Sequence, residues 1–217
     1  VTEGLLYVES ERGTVSELEF HDWYDHEHGP NRVGLKDVAY GQRYHAADDL
    51  SPSWMALYGL EIEVLGRDDY LYLRDHQSAR EISVMERLET LDRRVYHLLS
   101  DTGTNASERP ATFLVAVSMD AGEVGDTKLD EWYIDEHIPL LRQVPGWRST
   151  RRYRLAEGEG MSNLALHEWE GISSFDSEEY QKAISTPWRN EIMDSLAGHA
   201  RRVFRHHRTI LAADRPV

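Results

Sequence analysis

Trp23-Tyr24-Asp25-His26-Glu27-His28-Gly29-Pro30 is followed, 109 positions later, by Trp132-Tyr133-Ile134-Asp135-Glu136-His137-Ile138-Pro139. Both stretches read W-Y-x-x-E-H-x-P. Working outward from them, residues 4–61 lie over 113–170 without a gap, and sixteen of those fifty-eight positions are identical. Arg43-Tyr44 falls on Arg152-Tyr153, and Ala56-Leu57 on Ala165-Leu166. After a one-residue slip, Arg93-Arg94-Val95-Tyr96 falls on Arg201-Arg202-Val203-Phe204. Self-similarity at a fixed offset makes the chain an internal duplication, so one copy's fold must serve for both.

Each copy reads as β-α-β-β-α-β. Leu5–Val8 and Phe113–Val117 are short, apolar and β-prone. A helix is expected from about Val15 to His28 and from about Thr127 to His137. Phe20, Trp23, Tyr24 and Glu27 follow i, i+3, i+4, i+7 spacing, which places the aromatics on one face. Pro30 and Pro139 are expected to end these helices. Strands follow at Tyr40–His45 and Trp54–Val64, and at Arg148–Arg154 and Asn163–Trp169. A second helix is expected over Asp69–Asp92 and over Ser177–Ala197, with a break at Pro187 and a stop at Gly198. Val95–Leu99 and Val203–Leu211 close the copies. The domain expectation is a first ferredoxin-like repeat over 1–100, a polar linker over 101–111 and a second repeat over 112–217. Such a unit carries both helices on one face of a four-stranded antiparallel sheet. Covering the other face with the sister sheet gives the expected class: α+β, two repeats packed sheet to sheet as a pseudo-dimeric α+β barrel with a pocket among the strands.

Composition narrows the function. The chain has 217 residues, 39 Asp and Glu against 24 Lys and Arg, and a formal net charge of −15. That surface repels nucleic acid and anionic membranes. With no Cys there is no disulfide, thiolate nucleophile or cysteine-ligated metal. No apolar run approaches spanning length, and VTEGLLYVESERG lacks the pattern of a signal peptide. A cytoplasmic protein is expected. Its partners are expected to be a hydrophobic small-molecule substrate and, as an open point, a second copy in a homodimer. No G-x-G-x-x-G, Walker or G-x-S-x-G pattern is present, so nucleotide cofactors and a serine nucleophile are unsupported.

A W/Y-Y-x-x-x-H-x-P helix after a first strand, in a duplicated chain with this element order, resembles the EthD-like branch of the dimeric α+β barrel superfamily. The resemblance spans nearly the whole chain. It implies a pocket between sheet and helices and mostly cofactor-free chemistry on aromatic or polyketide-like molecules, although some branches bind haem. Relatives include decarboxylases, dehydratases, cyclases, lactone isomerases and monooxygenases. In muconolactone-isomerase-like relatives the H-x-P histidine transfers protons with a strand tyrosine. The matching histidines are His28 and His137; Tyr40 or Tyr44 and, in copy two, Tyr153 would be the tyrosine.

Histidine suits proton transfer near neutral pH. Copy one is richer in imidazole, with His21, His26, His45 and His97, and the active pocket is expected there. Copy two has His167 where copy one has Tyr58. Arg43 and Arg152 are candidate anchors for an acidic group. Trp54, Tyr58, Tyr96 and Trp169 are candidate pocket walls or barrel filling, whereas Trp23, Tyr24, Trp132 and Tyr133 read as core. His21, Asp25 and His28 match a two-His-one-carboxylate metal set. Three ligands on one straight helix span about 10 Å, too far for one ion, so a solvated polar face is preferred and no metal is expected. The leading expectation is a cofactor-independent lyase or isomerase of decarboxylase or dehydratase type, with His28, His45 or His97 moving the proton. The alternatives are a cofactor-free monooxygenase on a phenol and a non-catalytic carrier.

Overall fold

The computed structural model describes residues 3–103 and 110–214. Part of the expected linker, 104–109, lies outside the described residues. Copy one runs β1 (Glu3–Glu11), α1 (Glu17–Trp23), α2 (Gly29–Val33), β2 (Val38–Ala46), β3 (Trp54–Glu61), α3 (Asp68–Asp75), α4 (Ala79–Arg87) and β4 (Thr90–Asp101). Copy two runs β5 (Phe113–Asp120), α5 (Gly125–Trp132), α6 (Ile138–Leu141), β6 (Trp147–Glu157), β7 (Asn163–Trp169), α7 (Glu178–Ala183), α8 (Pro187–Ser195) and β8 (Gly198–Ile210). The doubled β-α-β-β-α-β order is thus the observed one, in a mixed α+β fold.

By its contacts the chain forms two units. Unit 1 comprises residues up to 98, 156–158 and those from 206 onward; unit 2 comprises 99–155 and 159–205. The last residues of β8 therefore belong to unit 1 and those of β4 to unit 2. In unit 1 the sheet order is β4-β1-β3-β2, with the end of β8 beside β2. The register sets Leu6 opposite both Tyr58 and Val95, and Gly41 opposite Tyr58. In unit 2, β5 lies between β7 and β8, with β6 beyond β7. Val115 stands opposite His167 and Val203, and Thr150 opposite His167. Each sheet has the same irregularity early in its second strand, at Val38/Tyr40 and at Trp147/Ser149.

The first helix of each copy departs from expectation. It does not stop before the proline. It widens into a π turn, over Tyr24–His28 and Tyr133–His137, and then continues as α2 and α6. The Gly29 and Ile138 N–H groups donate to the carbonyls of Tyr24 and Tyr133, five residues back. Pro30 and Pro139 then sit in the first turn of the renewed helix, where a missing N–H costs nothing. The second helix is likewise split in both copies. Ser78 and Thr186 accept from the N–H groups of Glu81 and Arg189 and start new helices.

In unit 1 the helices bury Phe20, Trp23, Tyr24 and Val84 against Leu6, Val8, Tyr58 and Val95 of the sheet. Each large side chain contributes roughly 2–3 kcal/mol of burial. The sheet face away from the helices carries buried polar pairs besides apolar side chains. Tyr7 Oη donates to Glu9 at 2.7 Å, Tyr44 Oη to Gln42 at 2.7 Å, and Arg151 to Glu168 at 2.6 Å.

Candidate active site

The two motif histidines have different surroundings. In unit 1, His28 Nδ1 donates to Glu81 Oε1 at 2.8 Å, and Arg32 Nη2 reaches the same oxygen at 3.4 Å. Burial, and then Arg32, depress the His28 pKa to about 4, while His28 and Arg32 hold Glu81 ionised. At neutral pH the group is therefore a neutral imidazole beside a carboxylate paired with arginine. Tyr24 packs on the His28 ring, with centres 4.9 Å apart, and the buried Tyr58 hydroxyl lies 3.4 Å from that of Tyr24. Gly41, opposite Tyr58, makes room for this ring: a Cβ there would lie 3.1 Å from the ring carbons.

In unit 2, His137 stacks on Trp132, with ring centres 4.4 Å apart, and meets His167 edge to face at 5.8 Å. His167 Nδ1 shares a 2.8 Å hydrogen bond with Thr150 Oγ1. Thr150 takes the place of Gly41, and His167 that of Tyr58. Unit 2 holds a cavity of about 510 Å³. It is walled by Trp132, Tyr133, Trp169, Phe175 and Tyr180, with His137, His167, Arg189, Arg201 and Gln181 supplying polar groups. By the helix starts, Arg189 stands where unit 1 has Glu81. Burial lowers the His137 pKa to about 4 and lowers that of His167 well below its ordinary value, helped there by His137 and Arg201. Both rings are neutral at pH 7 and can accept protons. The Arg201 guanidinium lies 3.4 Å from Tyr180 Oη.

The structure distributes the other sequence candidates as follows. Arg43 is buried and bound to Asp25 Oδ1 at 2.5 Å, with its guanidinium 4.2 Å from the Tyr24 ring centre. Arg152 is bound to Asp130 and lies 4.3 Å from the Tyr133 ring centre. Both arginines already have carboxylate partners within the fold. Trp54 packs among Phe20, His21, His45 and His207. Tyr44 is buried against His206, and Tyr96 against Tyr7. Tyr153 is buried, Tyr40 covers Gly59, and His45 and His97 are exposed. Of the residues singled out by sequence as chemical or pocket-wall candidates, His137, His167 and Trp169 line the cavity. Arg189, Arg201 and Tyr180 join them without having been singled out. The Glu81-to-Arg189 exchange was visible in the sequence once the one-residue slip is applied.

This cavity lies in unit 2, whereas the sequence reading favours the imidazole-rich copy. His21, Asp25 and His28, set aside above as one ion's ligands, do not converge: His28 Nδ1 bonds Glu81. His207, at the end of β8, instead stacks beside His21.

Comparison with solved structures places the fold. An anthrone oxidase-like protein matches with a TM-score of 0.66 at 11% identity, over 97% of this chain and 93% of the other. A provisionally named monooxygenase from Fusobacterium nucleatum matches with 0.66 at 11%, over 97% and 95%. Another from Lactobacillus acidophilus matches with 0.62 at 8%, over 98% and 97%. At these identities the likeness shows a shared fold, the mixed α+β arrangement described above. No family model and no curated sequence matches the chain. The lyase or isomerase expectation is overturned by these neighbours, which are named for oxidase and monooxygenase activities; a heme-degrading enzyme from Listeria monocytogenes, with a TM-score of 0.50, is another. Among the described residues no helix is long and apolar enough to cross a membrane.

Proposed function

We propose that the unit 2 cavity is the active site of an oxygen-consuming monooxygenase or oxidase acting, without a cofactor, on an electron-rich phenol. One observation carries this reading: two neutral imidazoles, His137 and His167, face an aromatic-walled hollow of about 510 Å³. That volume suits a fused two- or three-ring compound. The oxidase and monooxygenase names of the structural neighbours support the reaction class, and the W-Y-x-x-E-H-x-P helix supports kinship with the EthD-like branch.

The chemistry follows from the groups present. A ring nitrogen of His137 or His167 takes the phenolic proton. The anion is held by the guanidinium groups of Arg189 and Arg201, which offset the low basicity of the imidazoles. The electron-rich phenolate gives an electron to O2, and the radical pair joins at the para carbon to form a hydroperoxide. Loss of water, with the para hydrogen leaving as a proton, yields the quinone. The sum is phenol plus O2 to quinone plus water; four electrons leave the substrate and O2 accepts all four, so no external reductant enters.

The test is an oxygen-electrode assay with anthrone and 1-naphthol as probes. One O2 consumed per substrate lost, with quinone formed, is the expected result. His137→Gln should lower turnover by about a hundredfold or more. His167→Tyr, which copies unit 1, removes one of the two imidazoles and narrows the cavity, and should abolish turnover with the circular-dichroism spectrum intact. Substrate loss without O2 uptake, a Soret band in the purified protein, or full activity in both variants would overturn the reading.

A further inference from the structure

Unit 1 carries a second cluster that the proposed oxidation does not use. His21 and Asp25 lie one turn apart, on α1 and the π turn after it, and His207 comes from β8. Their candidate ligand atoms all lie within 4.8 Å of one another. The geometry points to a binding site for a single divalent transition metal, of the Zn²⁺, Ni²⁺ or Cu²⁺ kind, with two imidazoles and one carboxylate as ligands.

Four observations carry this. First, the His21 and His207 ring centres are 4.9 Å apart. With metal–nitrogen distances of about 2.0–2.1 Å, two imidazoles on one ion have centres roughly 5 Å apart. Second, His21 Nδ1 is buried and has no hydrogen-bond partner, so a donor atom stands unused beside the cluster. Third, Asp25 is already oriented. Arg43 Nη1 donates to its Oδ1 at 2.5 Å, while Oδ2 lies 3.9 Å from Arg208 Nη1, beyond hydrogen-bond reach. A ligating carboxylate is ordinarily fixed in this way by a second hydrogen bond. Fourth, the cluster is peculiar to one copy. In unit 2 the position of His21 is Asp130, which itself binds Arg152, and the position of Asp25 is the exposed Ile134. The fold therefore needs only an arginine and one carboxylate here, and the two imidazoles exceed that need.

Burial and the Arg43 charge keep His21 and His207 in the unprotonated form that binds metals. The same charge weakens the attraction for a cation. Closing the ligand atoms to bonding distance falls to small rotations of the three side chains, whose ligand atoms already lie within 4.8 Å of one another. Nitrogen-rich donors favour a borderline metal over Mg²⁺ or Ca²⁺.

The test is calorimetric titration of the full chain with Zn²⁺, paired with the visible spectrum of the Co²⁺ form. One Zn²⁺ per chain is expected, with Co²⁺ bands of a four- or five-coordinate site. His207→Ala should weaken binding by tenfold or more and remove the Co²⁺ bands, with unchanged circular dichroism. His45→Ala and His26→Ala, which alter exposed histidines outside the cluster, should leave affinity unchanged. His21→Asn serves as a second ligand variant. No stoichiometric Zn²⁺ uptake, affinity unaltered by both ligand variants, or equal loss in the control variants would overturn the site. Because the readout is metal binding, failure here leaves the unit 2 oxidation test untouched.

Discussion

His28 and His137 occupy the same position in the same motif, on the same wide helical turn, and meet opposite neighbours. His28 faces Glu81 and Arg32 and packs against Tyr24, whose hydroxyl lies by that of the buried Tyr58. His137 faces His167 across a hollow that Arg189 and Arg201 reach. Both imidazoles are held near pKa 4, and burial is the main cause in each. A depressed pKa therefore does not distinguish the site from its packed counterpart. Volume and the charge opposite the ring do. Two exchanges, Tyr58 for His167 and Glu81 for Arg189, separate a filled core from a hollow with bases and cations around it.

The comparison can be broken or sharpened by substitution. The largest effect is expected at Glu81. Glu81→Ala strands Arg32 in a buried site and should cost about 4 kcal/mol in urea unfolding, whereas Arg189→Ala, at the equivalent place, should cost far less. Acid comes next. Folded His137 titrates near 4 and the unfolded chain near 6.5. Between those values the unfolded state binds more protons, so stability is flat above pH 6.5 and falls as pH drops toward 4, by about 3 kcal/mol. Unfolding of His137→Gln measured over that window should lack this share of the slope. A smaller loss, about 2 kcal/mol, is expected for Tyr58→His, which opens a void in unit 1; equal stability of variant and parent would mean the two cores are alike. Smallest are the caps. Ser78→Ala and Thr186→Ala should each cost about 1 kcal/mol, and a marked inequality would show that the two second helices are held differently.

Most of the architecture was legible because duplication doubles every signal. The strand–helix order repeated itself, and Leu6/Val115 and Val95/Val203 fell in register. The helix ends were not legible. Pro30 and Pro139 read as terminators because a proline removes an N–H, but a π turn shifts the hydrogen-bond ladder and seats each proline in a first turn. That register leaves no mark in composition. The break before α4 was readable in hindsight from Ser78-x-x-Glu81, a capping pair inside an otherwise helical stretch. The site was half legible. His137 and His167 could be named from residue type, but the count of imidazoles pointed to copy one. A cavity depends on what faces a residue across the sheet, as Gly41 faces Tyr58 and Thr150 faces His167, and such pairing is fixed only by strand register.

The wide turn carries a historical consequence. An i to i+5 turn accommodates one more residue than regular helix would at that point, and both halves hold it at the same place. Two independent insertions at one site are a far less economical account than a single one. The extra residue was thus already present in a half-length ancestor, and it was copied when the gene doubled. The later divergence of the halves, one packed and one hollow, was built upon an inherited bend rather than accompanied by it.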